Sequence, residues 1–446
     1  MRTYTKQTPI KRQLYTKPTA KRLIPAVLAL LFSLIQLMSL TGCGSTENTQ
    51  GKEKIRLEFY NRKREVYAVL EEIIKLFNQS QDEIEVYQNM NTNSDVTLRV
   101  AAVKGEFPDI VELGGLQSVE SFEYIMGGYL MPLDNLSCME RIKEEYIPYL
   151  RYDDHIYQVP LAMSFEGIYV NRDLFEQEGL ELPKTYEELL AVAEVIKERG
   201  KTPFLFADGD SWTIHQNWEC IESAYRGNFQ DFWTQVAEGK SSFETDEISR
   251  GSLEKLLKLH EYTEPELEKL DYAGAMERFA AGEGFMFIQG SWAYRNMREI
   301  NPDLNLELIP FPVEEGKEQR AAVWVDSSVG ISRDCRYPEA AQKFLEFLTK
   351  PEILQMYLDD ECSIGCLEGV SDRAKYAPRI NELIESGQAR MDASWLPLQT
   401  SVIRDKDIAE LMPAASAEKV SAYLSKYTKS LQKHRKLYLD AKEKVG

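Results

Sequence analysis

The chain has 446 residues, a formal net charge of −19 at pH 7, and 43% hydrophobic and 11% aromatic residues. That is too long for one ordinary core and too apolar for a disordered chain, so two domains are expected. The acidic balance argues against nucleic acid or an anionic lipid surface as a partner.

The N-terminus comes first. Residues 1–22 carry seven positive charges and no acid, and Leu23 to Leu40 then runs without a charge. Leu40-Thr41-Gly42-Cys43 follows directly. Residues 1–42 read as a secretory signal peptide. Its end resembles a bacterial lipobox, in which Cys43 is lipid-modified and becomes the first residue of the mature chain. The alternative is a signal anchor that stays in place, since the apolar run is just long enough to span a bilayer. Either way, residues 44–446 lie outside the cytoplasm, held to a membrane surface. Residues 43–54 form the lipidated cysteine and a small, polar tether.

From Ile55 the pattern alternates strand and helix. Ile55 to Phe59 alternates apolar and polar residues. Val66, Val69, Leu70, Ile73, Ile74 and Phe77 recur at helical spacing. A second strand at Ile84–Tyr87, a helix from about Ser94 to Val103 and a third strand from Pro108 complete a β-α-β-α-β unit, which argues for a mostly parallel sheet. The pattern restarts with a strand at Ile168–Val170. Thr185-Tyr186-Glu187-Glu188 has capping-box spacing and opens a helix. Strands follow at Phe285–Ile288, Leu306–Ile309 and Val329–Ser332. Pro338 sits at the first position of a helix running to Thr349, and the C-terminal third is helical. The expected architecture is α/β with two lobes: residues 53–163 plus 312–340, and residues 164–311 plus 341–446, with hinge crossings between them.

Six cysteines (Cys43, Cys138, Cys220, Cys335, Cys362 and Cys366) exclude a disulfide scaffold. Cys362 and Cys366 are spaced to close a small loop in an oxidising compartment, although spacing alone does not establish bridge geometry. Asp208, Asp210 and Glu219 fall at calcium-loop positions 1, 3 and 12. Trp212 and Thr213 stand where that loop needs an oxygen ligand and a glycine, so no metal is expected.

A series of motifs carries a family resemblance. Ala102-Val103-Lys104-Gly105-Glu106-Phe107-Pro108-Asp109-Ile110-Val111 is followed by Gly128-Tyr129-Leu130-Met131-Pro132-Leu133. Next come Tyr157-Gln158-Val159-Pro160 and Gly167-Ile168-Tyr169-Val170-Asn171-Arg172-Asp173-Leu174-Phe175. Pro183 to Leu189, Phe279 to Met286 and Gly290-Ser291-Trp292 complete the series. In this order they resemble the extracellular solute-binding proteins of ABC importers, of the carbohydrate-binding, maltodextrin-binding type. Val170 and Arg172 depart mildly from the family's tyrosine and lysine. The resemblance implies a monomeric, non-enzymatic receptor without cofactors. Its two lobes close on a sugar and deliver it to membrane permease subunits.

A sugar offers apolar CH faces and a ring of hydroxyls, so its binder needs flat aromatic faces and planar polar groups. Trp292 is the first candidate, because the resemblance implies a stacking tryptophan there. Trp395, in a Pro-flanked segment, and Trp212, in a polar loop after a strand, are further candidates. Tyr60, Asn61 and Arg62 stand at the carboxyl end of the first strand, where open α/β sheets bind ligands. Glu112 follows the third strand, Ser164 and Glu166 stand near a first crossover, and Trp324 and Asp326 near a later one. The run Arg62-Lys63-Arg64 opposes the dipole of the helix it precedes. It reads as a solvated face, with an anionic ligand group or an acidic patch on the transporter as the functional alternatives. Asp109 is assigned a structural role.

A lipid-anchored enzyme such as a glycosidase is the rival reading, and a binder of peptide or polyol is the third. With 72 acidic residues some carboxylate pair is always available. No His-Glu-x-x-His, Gly-x-Ser-x-Gly or phosphate-loop motif singles out a catalytic centre.

Overall fold

Strand β1 (Ile55–Asn61) buries Leu57 and Phe59. Helix α1 (Tyr67–Ser80) buries the predicted stripe of Val69, Leu70, Ile73, Ile74 and Phe77 and returns the chain to β2 (Ile84–Met90), parallel to β1. Helix α2 (Ser94–Lys104) leads to β3 (Ile110–Leu113), parallel to β1 on its other side. Helix α3 (Val119–Met126) is capped by Ser118, and a small hairpin, β4 (Arg151–Tyr152) with β5 (His155–Ile156), precedes β6 (Gln158–Asn171). These coordinates are a computed structural model. It describes residues 54–446 except 91–93, 117, 227–228, 264–268, 392–407, 409–410, 412–415 and 446. The signal segment, Cys43 and Trp395 therefore lie outside the described residues.

The chain continues through α4 (Arg172–Gln177), capped by Asn171, and α5 (Tyr186–Glu198), whose Thr185 cap accepts from the Glu188 amide as the capping-box spacing predicts. Next come β7 (Phe204–Leu205), α6 (Ser211–Tyr225), α7 (Phe229–Ala237), α8 (Glu247–Leu259) and α9 (Tyr272–Ala280). They lead to β8 (Met286–Gly290), α10 (Ala293–Ile300), β9 (Leu306–Ile309) and β10 (Ala321–Ile331). The last described elements are α11 (Pro338–Leu348), α12 (Pro351–Glu361), β11 (Ile364–Gly365), α13 (Pro378–Glu385), β12 (Ala389–Met391) and α14 (Ala417–Val445).

Among the described residues the main sheet runs β2-β1-β3-β10-β6-β8-β7, with β9 and β11 also pairing with β6 and β12 with β10. The β2-β1-β3 and β7-β8 pairs are parallel, whereas β10 and β6 run antiparallel to each other. Strand β6 is buried along all of its 14 residues. Its first half pairs with β10, and from Glu166 onward it pairs with β8 and β9 instead. One strand thus passes from one packed core into another. The first core gathers Leu57, Phe59, Ile73, Val159 and Val329, and the other gathers Ile168, Phe206, Trp218, Trp233 and Leu424.

Helices α11 and α12 depart from the expected division. Phe344 of α11 meets Phe59 and Phe77 edge-on, at ring separations of 5.7 and 5.1 Å. Residues 338–361 thereby join the core built on β1 and α1, although 341–446 were expected with the second lobe. The apolar stripe of α11 (Ala340, Ala341, Phe344, Leu345, Leu348) reveals amphipathicity, not which sheet face it will meet. Helix α14 does pack with the second core, where Tyr427 lies against Trp218 and Phe243. Cys362 and Cys366 are free thiols, half-buried and buried respectively. The three calcium-loop carboxylates diverge: Asp208 meets His260, Asp210 accepts from the Tyr272 amide, and Glu219 lies beside His215.

Candidate functional site

A cavity of about 290 Å³ is lined by Arg62, Lys63, Glu65, Trp292, Arg295, Trp324, Asp326 and Glu361. These residues come from the segment after β1, the β8–α10 turn and the first turn of α10, the middle of β10 and the end of α12. The cavity thus lies where the two long crossing strands meet the carboxyl ends of β1 and β8, as expected for a ligand site in an open α/β sheet.

Trp292 is held by its neighbours in sequence. Ser291 donates its amide to the Phe165 carbonyl, and Tyr169 donates its hydroxyl to the Gly290 carbonyl at 3.0 Å, so the turn after β8 is tied to β6. The indole lies directly over Gly290, where a Cβ would meet ring carbons at 2.1 Å. Only glycine admits that approach. Trp324 is directly opposite Ser164 in the β10–β6 ladder and meets Trp292 edge-on, with ring centroids 5.7 Å apart. Between Val325 and Ser327 the ladder shifts register, so Asp326 is an extra residue in a β-bulge. A bulge re-aims its side chain. Here it sends the carboxylate to Lys63 Nζ at 2.5 Å and lets it accept from Ser164 Oγ at 3.0 Å.

Lys63 also pairs with Glu361, which accepts a second bond, from Ser363 Oγ, at 2.8 Å. Arg62 donates through Nη2 to the Asp326 carbonyl at 2.8 Å, and its Nε lies 3.6 Å from Glu112 Oε2. Glu112 is fully buried behind the cavity and accepts from Ser327 Oγ at 2.9 Å, while Tyr357 donates to Ser327. Arg295 pairs with Asp360 and with Glu299 and donates to the Glu65 carbonyl. Burial opposes the charges of Arg62 and Lys63, but Glu112 and Asp326 beside Arg62, and Asp326 and Glu361 beside Lys63, outweigh it and raise both pKa values. Asp326 is also buried against its charge, yet Lys63 and Arg62 hold its carboxyl below the usual range. Burial dominates at Glu112 and pushes its carboxyl up.

Four candidates read from the sequence line the cavity together: Arg62, Trp292, Trp324 and Asp326. Ser164 and Glu112 bond to Asp326 and Arg62 from behind. Glu166 is buried in β6 opposite Gly290, directly beneath the Trp292 turn. Trp212, 37% exposed, meets Tyr272 edge-on at 5.3 Å and is not among the lining residues. Tyr60 is packed with Leu98, Val111 and Leu113, and the Asn61 amide holds the Lys63 backbone and Gln88, so neither faces the cavity. The basic run is not a solvated face. Arg64 is exposed, but Lys63 is buried and Arg62 is turned inward. Lys63, Glu65, Arg295 and Glu361 are the lining residues that sequence reasoning missed. The signal for Lys63 was present, in a basic run that works against a helix dipole, whereas nothing local marks Glu361.

The geometry defines a binding cleft: aromatic faces and polar groups gathered where two packed cores meet. The chain belongs to the bacterial extracellular solute-binding proteins, whose family model matches residues 62–354. It is 25% identical over 352 residues to the multiple sugar-binding protein of Streptococcus mutans, a match covering 77% of this chain and 83% of that protein. It is 20% identical over 349 residues to the melibiose/raffinose/stachyose-binding protein of Bacillus subtilis, covering 72% and 76%. Among solved structures it resembles the solute-binding protein RafE in complex with raffinose (TM-score 0.75, 23% identity, 85% of this chain and 100% of that one). A chitin oligosaccharide binding protein superposes with a TM-score of 0.72 at 22% identity, over 86% of this chain and 99% of that one. The expected family and its two-lobed α/β fold are thus found. The protein is a binding protein of the extracellular transport class and not an enzyme.

Proposed function

We propose that this protein captures a sugar or oligosaccharide in the cavity between β1, β8 and β10 and delivers it to the membrane subunits of an ABC importer. The observation that carries the reading is the pair of edge-to-face tryptophans, Trp292 and Trp324, standing beside the Asp326 and Glu361 carboxylates and the Arg62 guanidinium. Indoles cover apolar CH faces, and planar charged groups bond adjacent hydroxyls. The sugar-binding relatives support this choice of ligand. In this reading Trp292, Trp324, Arg62 and Asp326 contact the ligand, and Ser164, Glu112 and Glu166 hold them in place. Trp212 flanks the cleft through Tyr272, and Trp395 is a further contact from outside the described residues. The lobes divide where β6 and β10 cross, with residues 338–361 on the β1 side.

The protein acts as a monomer outside the cytoplasm, tethered through lipid on Cys43. Tethering raises its effective concentration at the transporter. A thermal-shift screen with mono- and oligosaccharides tests the function. A matching carbohydrate raises the melting temperature by mass action and is recovered unchanged. A carbohydrate cleaved by the protein, or a full panel with no shift, removes the reading. The anchor has its own test: Cys43→Ser releases the protein into the medium, and retention at the membrane argues instead for an uncleaved signal anchor.

A further inference from the structure

We propose that the cleft selects an uncharged carbohydrate and rejects acidic sugars, because carboxylates already occupy the cations that face it. This rests on the reading of the cleft as a carbohydrate site. The sequence left the ligand's charge open, since the basic run Arg62-Lys63-Arg64 and the acidic chain as a whole pointed in opposite directions.

The cavity settles the count of charges. Its described lining holds three cations, Arg62, Lys63 and Arg295. Lys63 is shared between Asp326 and Glu361, Arg62 lies between Glu112 and Asp326, and Arg295 is taken by Asp360 and Glu299. Each cation thus has two carboxylate neighbours. An incoming carboxylate would compete with these neighbours, and displacing the buried Glu112 or Glu361 would leave that group unpaired, which is costly. Glu65 completes the argument. It lines the cavity, yet its carboxylate makes no ion pair or side-chain hydrogen bond among the described residues, where only its backbone carbonyl is engaged, by Arg295. The one uncommitted charge of the described lining is therefore negative. It accepts a bond from a sugar hydroxyl and repels a uronate.

The test is calorimetric titration with neutral trisaccharides and with galacturonate and glucuronate oligomers of the same length. The expected result is that a neutral sugar binds and its acidic counterpart is at least about tenfold weaker. Glu65→Gln breaks no ion pair, and Glu361→Gln frees one side of Lys63. Each should raise the acidic-to-neutral affinity ratio by about tenfold. An acidic sugar binding the unmodified protein as tightly as its neutral counterpart overturns the proposal while leaving the carbohydrate reading standing. So does an unchanged ratio in both variants. If no carbohydrate of either kind binds, the carbohydrate reading itself falls, and this proposal with it.

Discussion

Two buried networks of arginine or lysine with carboxylates, among the described residues, differ in what surrounds them. In the second core Arg226 donates to Glu222 at 2.7 Å and to Ser249 at 3.0 Å and pairs with Asp246, the N-cap of α8. The Ser249 hydroxyl lies within hydrogen-bond distance of both carboxylates, at 2.8 and 2.9 Å, so its one proton is shared between them, and Phe232 closes one face of the guanidinium at 3.6 Å. The Arg226 donors named here are all engaged, and a ring seals the guanidinium. The cleft network is built from the same residue types, but it borders a cavity, carries two half-buried tryptophans and leaves Arg62 Nε and the Glu65 carboxylate without hydrogen-bond partners among the described residues. Buried charge alone therefore does not mark a site. What distinguishes the cleft is unfinished bonding next to aromatic surface and open volume.

Removing a key residue from each network separates the two roles. Arg226→Ala leaves Glu222 and Asp246 buried without their partner and should cost about 3–5 kcal/mol of stability. Chemical denaturation measures it, and a loss below about 1 kcal/mol would deny the network its structural role. Trp292→Ala should cost over roughly 2 kcal/mol of carbohydrate affinity while the unliganded protein stays folded. Calorimetry that finds unchanged affinity removes Trp292 from the site.

A smaller effect concerns acid. Burial works against Asp246, but Arg226 and the Ser249 amide hold its folded pKa below the unfolded value. Its contribution is complete above about pH 4 and is lost as pH falls through the folded value. Asp246→Asn should flatten the acid limb of the stability curve. An unaltered acid limb would show that Asp246 is not preferentially ionised in the fold.

Strands β1 and β2 and helix α1 were legible because their apolar periods of two and 3.6 survive in the structure. Trp292 was named from the Gly290-Ser291-Trp292 motif of the family resemblance, and the structure adds the reason for the glycine, since the indole lies against Gly290. Asp326 was named from its place in the chain, but the bulge that aims it depends on how β10 registers with β6, and register is a tertiary property. Lys63 was seen and misjudged. A basic run ahead of a helix normally points to water, and the partners that turn this one inward, Asp326 and Glu361, lie 263 and 298 residues away. Residues 341–361 were expected with the other lobe for the same reason: an amphipathic stripe does not name its partner.

The central claim is that the cleft holds a carbohydrate without transforming it. Titration of the purified protein with the carbohydrate that gives the largest thermal shift, followed by chemical recovery of that carbohydrate, tests it most directly. The account predicts saturable one-to-one binding, intact sugar, and loss of that binding in Trp292→Ala. Cleaved sugar, or binding that survives Trp292→Ala undiminished, would contradict it.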